Sequence, residues 1–598
     1  MSGITGGEMN EARLRTMMGG LAGRGSERSW RYEHAGAGIG MSYTTADPQG
    51  ATVWDDGSRA GVAHGVVTNL DELGLTYDEV FDRLLEAPVA AAREMEGEFL
   101  VAAYDADRDA HVVVNDKLGG RPCYYTTDGG FRYSTSVDVL LTGVDNPTLD
   151  HQSVSDLLLI GYMWGDGTLV EEVRSLRPAT VLEVTNGAVT TTRYWKPDYE
   201  VEATGERYFA ELADRYRQAA RRFAGTMPSG AGIWLSGGLD SRTTAAALLE
   251  QMPEVGGDAL HAFGYDANPP TDDNPQIARD VADTLGIDYT QVDLSAETFA
   301  EDFERVIEAT DGLVPWDIAA NLSATYRIAG DVPVIMEGAQ GGLIGDHLLR
   351  YNLDDSYSVV ESQLHSEGSA DLEIVERLLT PSVDPLASFK REARRTSEST
   401  HRGKVVDIHF QNYYARSGLT SNNIMRDCTG SRSIQVDGDY LEWCAKIPTY
   451  YRKGTFPFSH HVFASDAGGV PYGTSIAKLQ LCRRICPDLS EITYERTKVK
   501  PSLPYHLHVA GFVGNVLVNR FRSKPTYGTG QLPDFWIRDT DSYVHRRVRE
   551  LVDDAADREL FDADAVRSIY EAHMEGANNA ALLARITTLE YWIQAHLD

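Results

Sequence analysis

Lysine is scarce in this chain of 598 residues: ten lysines stand against 45 arginines, and the 55 basic residues together face 89 aspartates and glutamates, a formal charge of -34. Such a surplus repels a polyanion, which argues against nucleic acid as a main partner. Cysteine is scarcer still. Cys123, Cys428, Cys444, Cys482 and Cys486 are scattered and odd in number, too few to staple so long a chain, and they predict reduced thiols in a cytoplasmic protein. Cys482 and Cys486 are four residues apart, but no His or Cys pair nearby completes a metal set, so core packing is the reading for both. No stretch of about 18 apolar residues is present, nor a basic leader with an apolar centre, which argues against a membrane partner and a signal peptide. Few lysines and many carboxylates suit a salt-rich, halophile-like cytoplasm, where screening tolerates charge of one sign.

What is present divides into two textures. The length is about four times a domain of roughly 150 residues, so two or three domains are expected. The segments GAGIGMSY, ATVW, AGVAHGVV, GEFLVAAYD, HVVVND, PCYYTT and FRYSTS alternate and are separated by turn residues, which predicts layered antiparallel sheet. LTYDEVFDRLLEAPVAAAREM and SVSDLLLIGYM carry apolar residues at helical spacing and predict helices over at least one face. This α+β domain is assigned to residues 1–198. From residue 199 to 598 long amphipathic helices alternate with short buried strands, such as GIWLSG, ALHAFGYD and VPVIME, which predicts an α/β doubly wound parallel sheet followed by a helix-rich region.

The most informative string is Leu235-Ser236-Gly237-Gly238-Leu239-Asp240-Ser241. A strand runs into Ser-Gly-Gly and then directly into a helix, so backbone N–H groups and hydroxyls converge on the positive end of a helix dipole, as an anion cradle requires. Asp240 adds a carboxylate able to hold Mg2+ against phosphate oxygens.

SGGLDS resembles the pyrophosphate loop of the asparagine synthetase family, which includes the β-lactam synthetases and lasso-peptide cyclases. The likeness extends to Ser2-Gly3-Ile4 at the start, to Asn115-Asp116 through Pro122-Cys123-Tyr124-Tyr125, to Arg193-Tyr194-Trp195, and to Arg432 through Asp437. It implies an N-terminal-nucleophile-hydrolase-like sandwich followed by a PP-loop synthetase domain. It further implies ATP and Mg2+ as cofactors and an amide-forming reaction: a small-molecule or peptide carboxylate is adenylated, and ammonia or an amine displaces AMP. A homodimer is one assembly consistent with the chain. In the family's acidic loop after VPVIM, Asp346 takes the position of the second metal ligand if extra residues are placed behind the strand; without that gap Gly341 or Gly342 falls there. Thr493 through Pro501 resembles the segment carrying the catalytic lysine, which becomes Lys498, with Lys500 as runner-up.

The family pattern breaks in the first domain. Ser2 stands where the family has its nucleophilic cysteine, His64-Gly65-Val66 where it has Asn-Gly-Glu, and the arginine of its Arg-Leu-Ser segment is missing from Gly38 through Tyr43. A hydroxyl is a poorer nucleophile than a thiol near neutral pH, so the expectation is amide synthesis without glutamine hydrolysis. Two alternatives stay open: a glutamine-hydrolysing enzyme with Ser2 as a weakened nucleophile, and a non-catalytic scaffold. A PP-loop enzyme acting on tRNA shares Ser-Gly-Gly-x-Asp-Ser, and the charge and the lack of paired cysteines weigh against it.

Overall fold

The computed structural model describes residues 3–22, 27–257, 260–266, 273–338, 343–345, 356–452, 475–521 and 532–598. The first part of the chain builds two six-stranded antiparallel sheets. One runs in the order Arg174–Ser175, Tyr124–Thr126, Arg132–Ser134, Gly3–Glu8, Ala37–Tyr43, Arg28–His34; the other runs Ala188–Arg193, Thr180–Thr185, Ala110–Asn115, Gly97–Asp105, Arg59–Val67, Ala51–Asp55. Their inner faces meet through Ile4, Ile39 and Met41 of the first sheet and Val62, Leu100, Ala102 and Val113 of the second. The outer face of the second sheet, through Ala63, Phe99 and Val101, packs on Val80, Phe81 and Leu84 of the helix Tyr77–Glu86. On the other side the helix Glu11–Ala22 lies against the first sheet, with Leu14 and Met18 close to Gly38 and Gly40. The result is helix, sheet, sheet, helix, and all seven segments read as strands in the sequence are strands. Five more join them, Gly3–Glu8, Arg28–His34, Arg174–Ser175, Thr180–Thr185 and Ala188–Arg193. The helical stretch from Thr76 divides at Ala87, because Pro88 has no N–H to donate and opens a second helix, Pro88–Glu94, from its first position.

His111 lies in this sandwich between Tyr104, Phe131 and Tyr133, and neither ring nitrogen has a hydrogen-bond partner among the described residues. Burial pushes its pKa down to about 3. The unfolded ring takes up a proton near pH 6.5 and the folded one only near 3, so the unfolded state binds more protons between those values and stability falls as pH drops through that window. The cost at pH 5 is about 2 kcal/mol. His111→Phe is therefore expected to lose about 2 kcal/mol less than the parent chain between pH 7 and pH 5, read from urea midpoints. An equal acid loss in both would mean that the native ring is protonated.

The second part is centred on a five-stranded parallel sheet in the order Tyr289–Gln291, His261–Gly264, Gly232–Trp234, Val334–Met336, Gly430–Arg432. Gly232–Trp234 comes first in the chain; the next two strands add on one side of it and the last two on the other. The strand order therefore reverses between Gly232–Trp234 and Val334–Met336, and the crevice at the carboxyl ends of these two is where such sheets bind ligands. Gly338, two residues past the second of them, touches the helix Leu239–Gln251 that follows the first: a Cβ there would come within 2.8 Å of Ser241 Cα and 2.9 Å of Trp234 O.

The last helices, Leu532–Arg538, Tyr543–Asp557, Ala563–Met574 and Ala580–His596, close over both parts. Trp536 stacks on Phe299 with ring centroids 4.7 Å apart, Trp592 fills the space left by Gly312, and Arg585 donates to the carbonyls of Leu158 and Leu159 in the first part. No helix among the described residues is long and apolar enough to cross a membrane.

Candidate active site

The helix Leu239–Gln251 starts at Gly238, whose extended backbone (φ -75°, ψ 171°) is the N-cap, and no side chain caps it. Its first-turn donors thus open onto the crevice. Upstream, Ser236 N donates to Ser241 Oγ at 3.0 Å, Gly237 N to Asn274 Oδ1 at 2.5 Å and Gly238 N to Ser236 Oγ at 3.2 Å. These acceptors are neutral, and a phosphate oxygen competes well with them because charge-assisted hydrogen bonds are roughly twice as strong. Gly237 is needed for a close approach: a Cβ on it would stand 3.0 Å from Glu495 Cβ and 3.1 Å from Asn274 Oδ1.

One lysine reaches this loop and a second lies on a turn bonded to it. Lys478, on the helix Ile476–Ile485, places Nζ 2.6 Å from Asp240 Oδ2, with both side chains largely buried. Lys498 lies on a tight turn closed by Tyr494 N to Val499 O at 3.0 Å and its own N to Tyr494 O at 2.8 Å. Its φ of 57° is a left-handed conformation rare for a side chain of this kind. The turn is tied to the loop by Glu495 N donating to Gly237 O at 3.2 Å. Lys498 Nζ meets Asp273 Oδ2 at 2.9 Å, beside the Asn274 that holds the Gly237 amide. Burial, together with Asp266 and Asp273, pushes the Glu495 carboxyl above its usual range against the pull of Lys498.

The structure thus gathers Ser236, Gly237, Gly238, Asp240 and Ser241 in one loop and bonds the Lys498 turn to it through Gly237 O, with Lys498 Nζ itself on Asp273. Lys500 lies outside it, its Nζ 3.3 Å from Glu491 Oε2. Asp346 and Ser2 lie outside the described residues. Sequence reasoning missed Lys478, Asn274, Glu495 and Arg242. The signal for Lys478 was available: with only ten lysines in the chain, one on the helix just ahead of the Lys498 segment was a candidate. Asp240 offers the hard oxygen donor that Mg2+ takes beside phosphate, so the chemistry of the donor set fits that ion, with Lys478 as a competing cation for the same carboxylate.

In the first domain, His64 is buried on the strand Arg59–Val67. Burial first, then Arg121 and Arg426, drive its pKa well down, which keeps the ring neutral. Arg121 pairs with buried Glu98 at 3.1 Å and crosses to Ser431 O of the parallel sheet at 2.8 Å. Gly65, with φ 93°, packs so tightly on Glu98 O and Arg121 that no side chain fits. A cavity of about 100 Å³ remains here between the two parts, lined by Leu21, His64, Thr135, Asp311 and Arg426 among others.

Residues 79–195 match the glutamine amidotransferase domain family and residues 211–395 the asparagine synthase family. Over these two stretches the chain is similar to the asparagine synthetase family. Asparagine synthetase 3 (glutamine-hydrolyzing) of Bacillus subtilis (strain 168) is 23% identical over 233 residues, which span 36% of this chain and 38% of that protein. A solved structure described as the allosteric regulatory enzyme of purine biosynthesis matches 49% of this chain and 80% of its own at 10% identity, with a TM-score of 0.25. The two matched families take in the loop and Asn274; Lys478 and Lys498 lie beyond residue 395.

Proposed function

We propose that the chain is an ATP-dependent ligase that adenylates a carboxylate and transfers the acyl group to ammonia or an amine, without hydrolysing glutamine. The observation that carries this reading is an uncapped helix N-terminus at the reversal point of a parallel sheet, with Lys478 paired to its Asp240 and the Lys498 turn bonded to Gly237. A triphosphate in the cradle would accept from the loop N–H groups and the hydroxyls of Ser236 and Ser241. Lys478 and Lys498 supply the positive charge needed as pyrophosphate leaves and as an oxyanion forms in acyl transfer. The carboxylate oxygen attacks the α-phosphorus and pyrophosphate departs; the amine then attacks the acyl carbon and AMP departs. Mg2+, when bound by Asp240 and Asp346, would offset the triphosphate charge.

The reading of the first domain as scaffold is supported by what fills it. A neutral buried His64, a Glu98–Arg121 ion pair and a cavity of about 100 Å³ occupy the ground between the sheets and the synthetase part. That volume is well below the roughly 300 Å³ at which small-molecule pockets begin.

The test is AMP and pyrophosphate formation, with ATP–pyrophosphate exchange, by the full chain in high-KCl buffer with Mg-ATP, a carboxylate panel led by aspartate, and ammonium or glutamine. Turnover with ammonium and not with glutamine is expected. Turnover with glutamine would restore Ser2 as a working nucleophile. Absence of exchange with every carboxylate would overturn the ligase reading in favour of a scaffold.

A further inference from the structure

Arg242 is the fourth residue of the loop helix, an unusual place for a cation because helix N-termini repel positive charge. Its side chain is fully buried. A guanidinium has five N–H groups, and here all five meet main-chain carbonyls. Nε donates to Gly238 O at 2.9 Å; Nη2 donates to Gly237 O at 2.9 Å and Thr493 O at 3.1 Å; Nη1 donates to Leu489 O at 3.2 Å and Ile492 O at 3.0 Å. Two of these acceptors belong to the phosphate-binding loop. The other three belong to the strand of chain that leads without a break into the Tyr494–Val499 turn and Lys498.

The consequence is mechanical. With its carbonyls drawn back onto Arg242, the Gly237–Gly238 backbone is fixed behind the cradle. The opposite wall is fixed by the same rigid fork, and Glu495 N donating to Gly237 O at 3.2 Å joins the two walls directly. The left-handed backbone of Lys498 also requires surroundings that over-determine it, since such a conformation costs about 1 kcal/mol or more. Thr497 Oγ1 against His508 Nδ1 at 3.0 Å holds the turn from its far side, and Arg242 holds it from the loop side.

We propose that Arg242 is a positioning residue that locks the pyrophosphate loop and the Lys498 turn into one unit, so that Lys498 keeps a fixed reach to the α-phosphorus at which the carboxylate displaces pyrophosphate. This rests on the ligase reading above. The loop N–H groups bind phosphate whether or not the turn is in register, whereas Lys498 acts on charge that develops in the transition state. Loosening the fork therefore falls on kcat rather than on KM.

The experiment compares Arg242→Lys and Arg242→Met in the full chain. Arg242→Lys keeps the charge but has three N–H groups in place of a planar fork of five; Arg242→Met leaves buried carbonyls orphaned and serves as the lower bound. Expected for Arg242→Lys is a fall in kcat of about 10- to 100-fold in ATP–pyrophosphate exchange, the range a displacement of about 1 Å produces, with KM for ATP within about threefold. Hydrogen exchange at the amides of Tyr494 and Lys498 should quicken by about tenfold or more while the sandwich amides keep their protection. A fall carried by KM alone, or unchanged protection at both amides, would overturn the proposal. If the parent chain shows no exchange reaction, the ligase reading falls, and the amide protection still decides whether Arg242 couples loop to turn.

Discussion

Lys498→Met is expected to lower the rate of pyrophosphate exchange by about 10²- to 10³-fold, the loss typical when one group aimed at developing charge is removed. The more discriminating variant is Lys498→Gly. The lysine sits at φ 57°, a conformation that costs an ordinary residue about 1–2 kcal/mol and glycine nothing. Glycine loses more chain entropy on folding, about 0.5–1 kcal/mol, and the ion pair with Asp273 is too exposed to add much. Stability should thus stay within about 1 kcal/mol of the parent while activity falls as far as in Lys498→Met. A residue kept in an unfavourable backbone conformation, whose replacement by glycine is harmless to the fold and ruinous to turnover, is one held there for its side chain. Thermal melting and exchange kinetics on the same preparation give both readouts; retention of more than about a third of the parent rate would remove Lys498 from the mechanism.

How far the sequence went toward this site depends on what kind of contact each residue makes. The loop was legible because its chemistry is local: Ser-Gly-Gly between a strand and a helix has few other uses, and the same run of eleven residues supplies strand, cradle and helix start. Lys498 was legible through family resemblance alone. Arg242 was not, although it directly follows the string that was read. Its five acceptors lie in two segments some 250 residues apart, and nothing in the order of residues shows that they face one another. The same applies to Asn274, which fills the Gly237 amide across 37 residues. In the sandwich, short apolar runs between turn residues marked seven strands, Gly97–Asp105 among them although it is buried at every position. Gly3–Glu8 went unread because three of its six residues are glycine, which leaves no run of β-branched or aromatic side chains to mark a strand. Arg432 through Asp437 was read as a worn family motif, and the structure gives it a use that no local pattern contains: Arg432 is wholly buried against Asp47, and Asp437 caps the helix Gly438–Ala445 while binding Arg222.

That buried pair yields the largest expected change in stability. Arg432 Nη1 and Nη2 meet the two oxygens of Asp47 at 2.9 and 2.7 Å; Nε reaches Thr226 Oγ1 at 3.3 Å. Asp47 belongs to the turn ahead of the strand Ala51–Asp55 and Arg432 ends the edge strand of the parallel sheet, so the pair joins the two parts of the chain through groups that water does not reach. Asp47→Ala leaves a guanidinium uncompensated in the interface, at a cost of about 3–5 kcal/mol. The Gly50 amide, which donates to Asp47 Oδ1 at 3.0 Å, keeps the main-chain carbonyl of residue 47 at 3.2 Å, so the turn itself loses little. Because the cost comes from the stranded charge and not from the lost attraction, Asp47→Ala combined with Arg432→Met should be more stable than Asp47→Ala alone. An additive double variant would mean that the pair contributes through shape and not charge. Calorimetry separates the cases further: if the pair couples the sandwich to the parallel sheet, Asp47→Ala should split one unfolding transition into two, and the double variant should draw them together again.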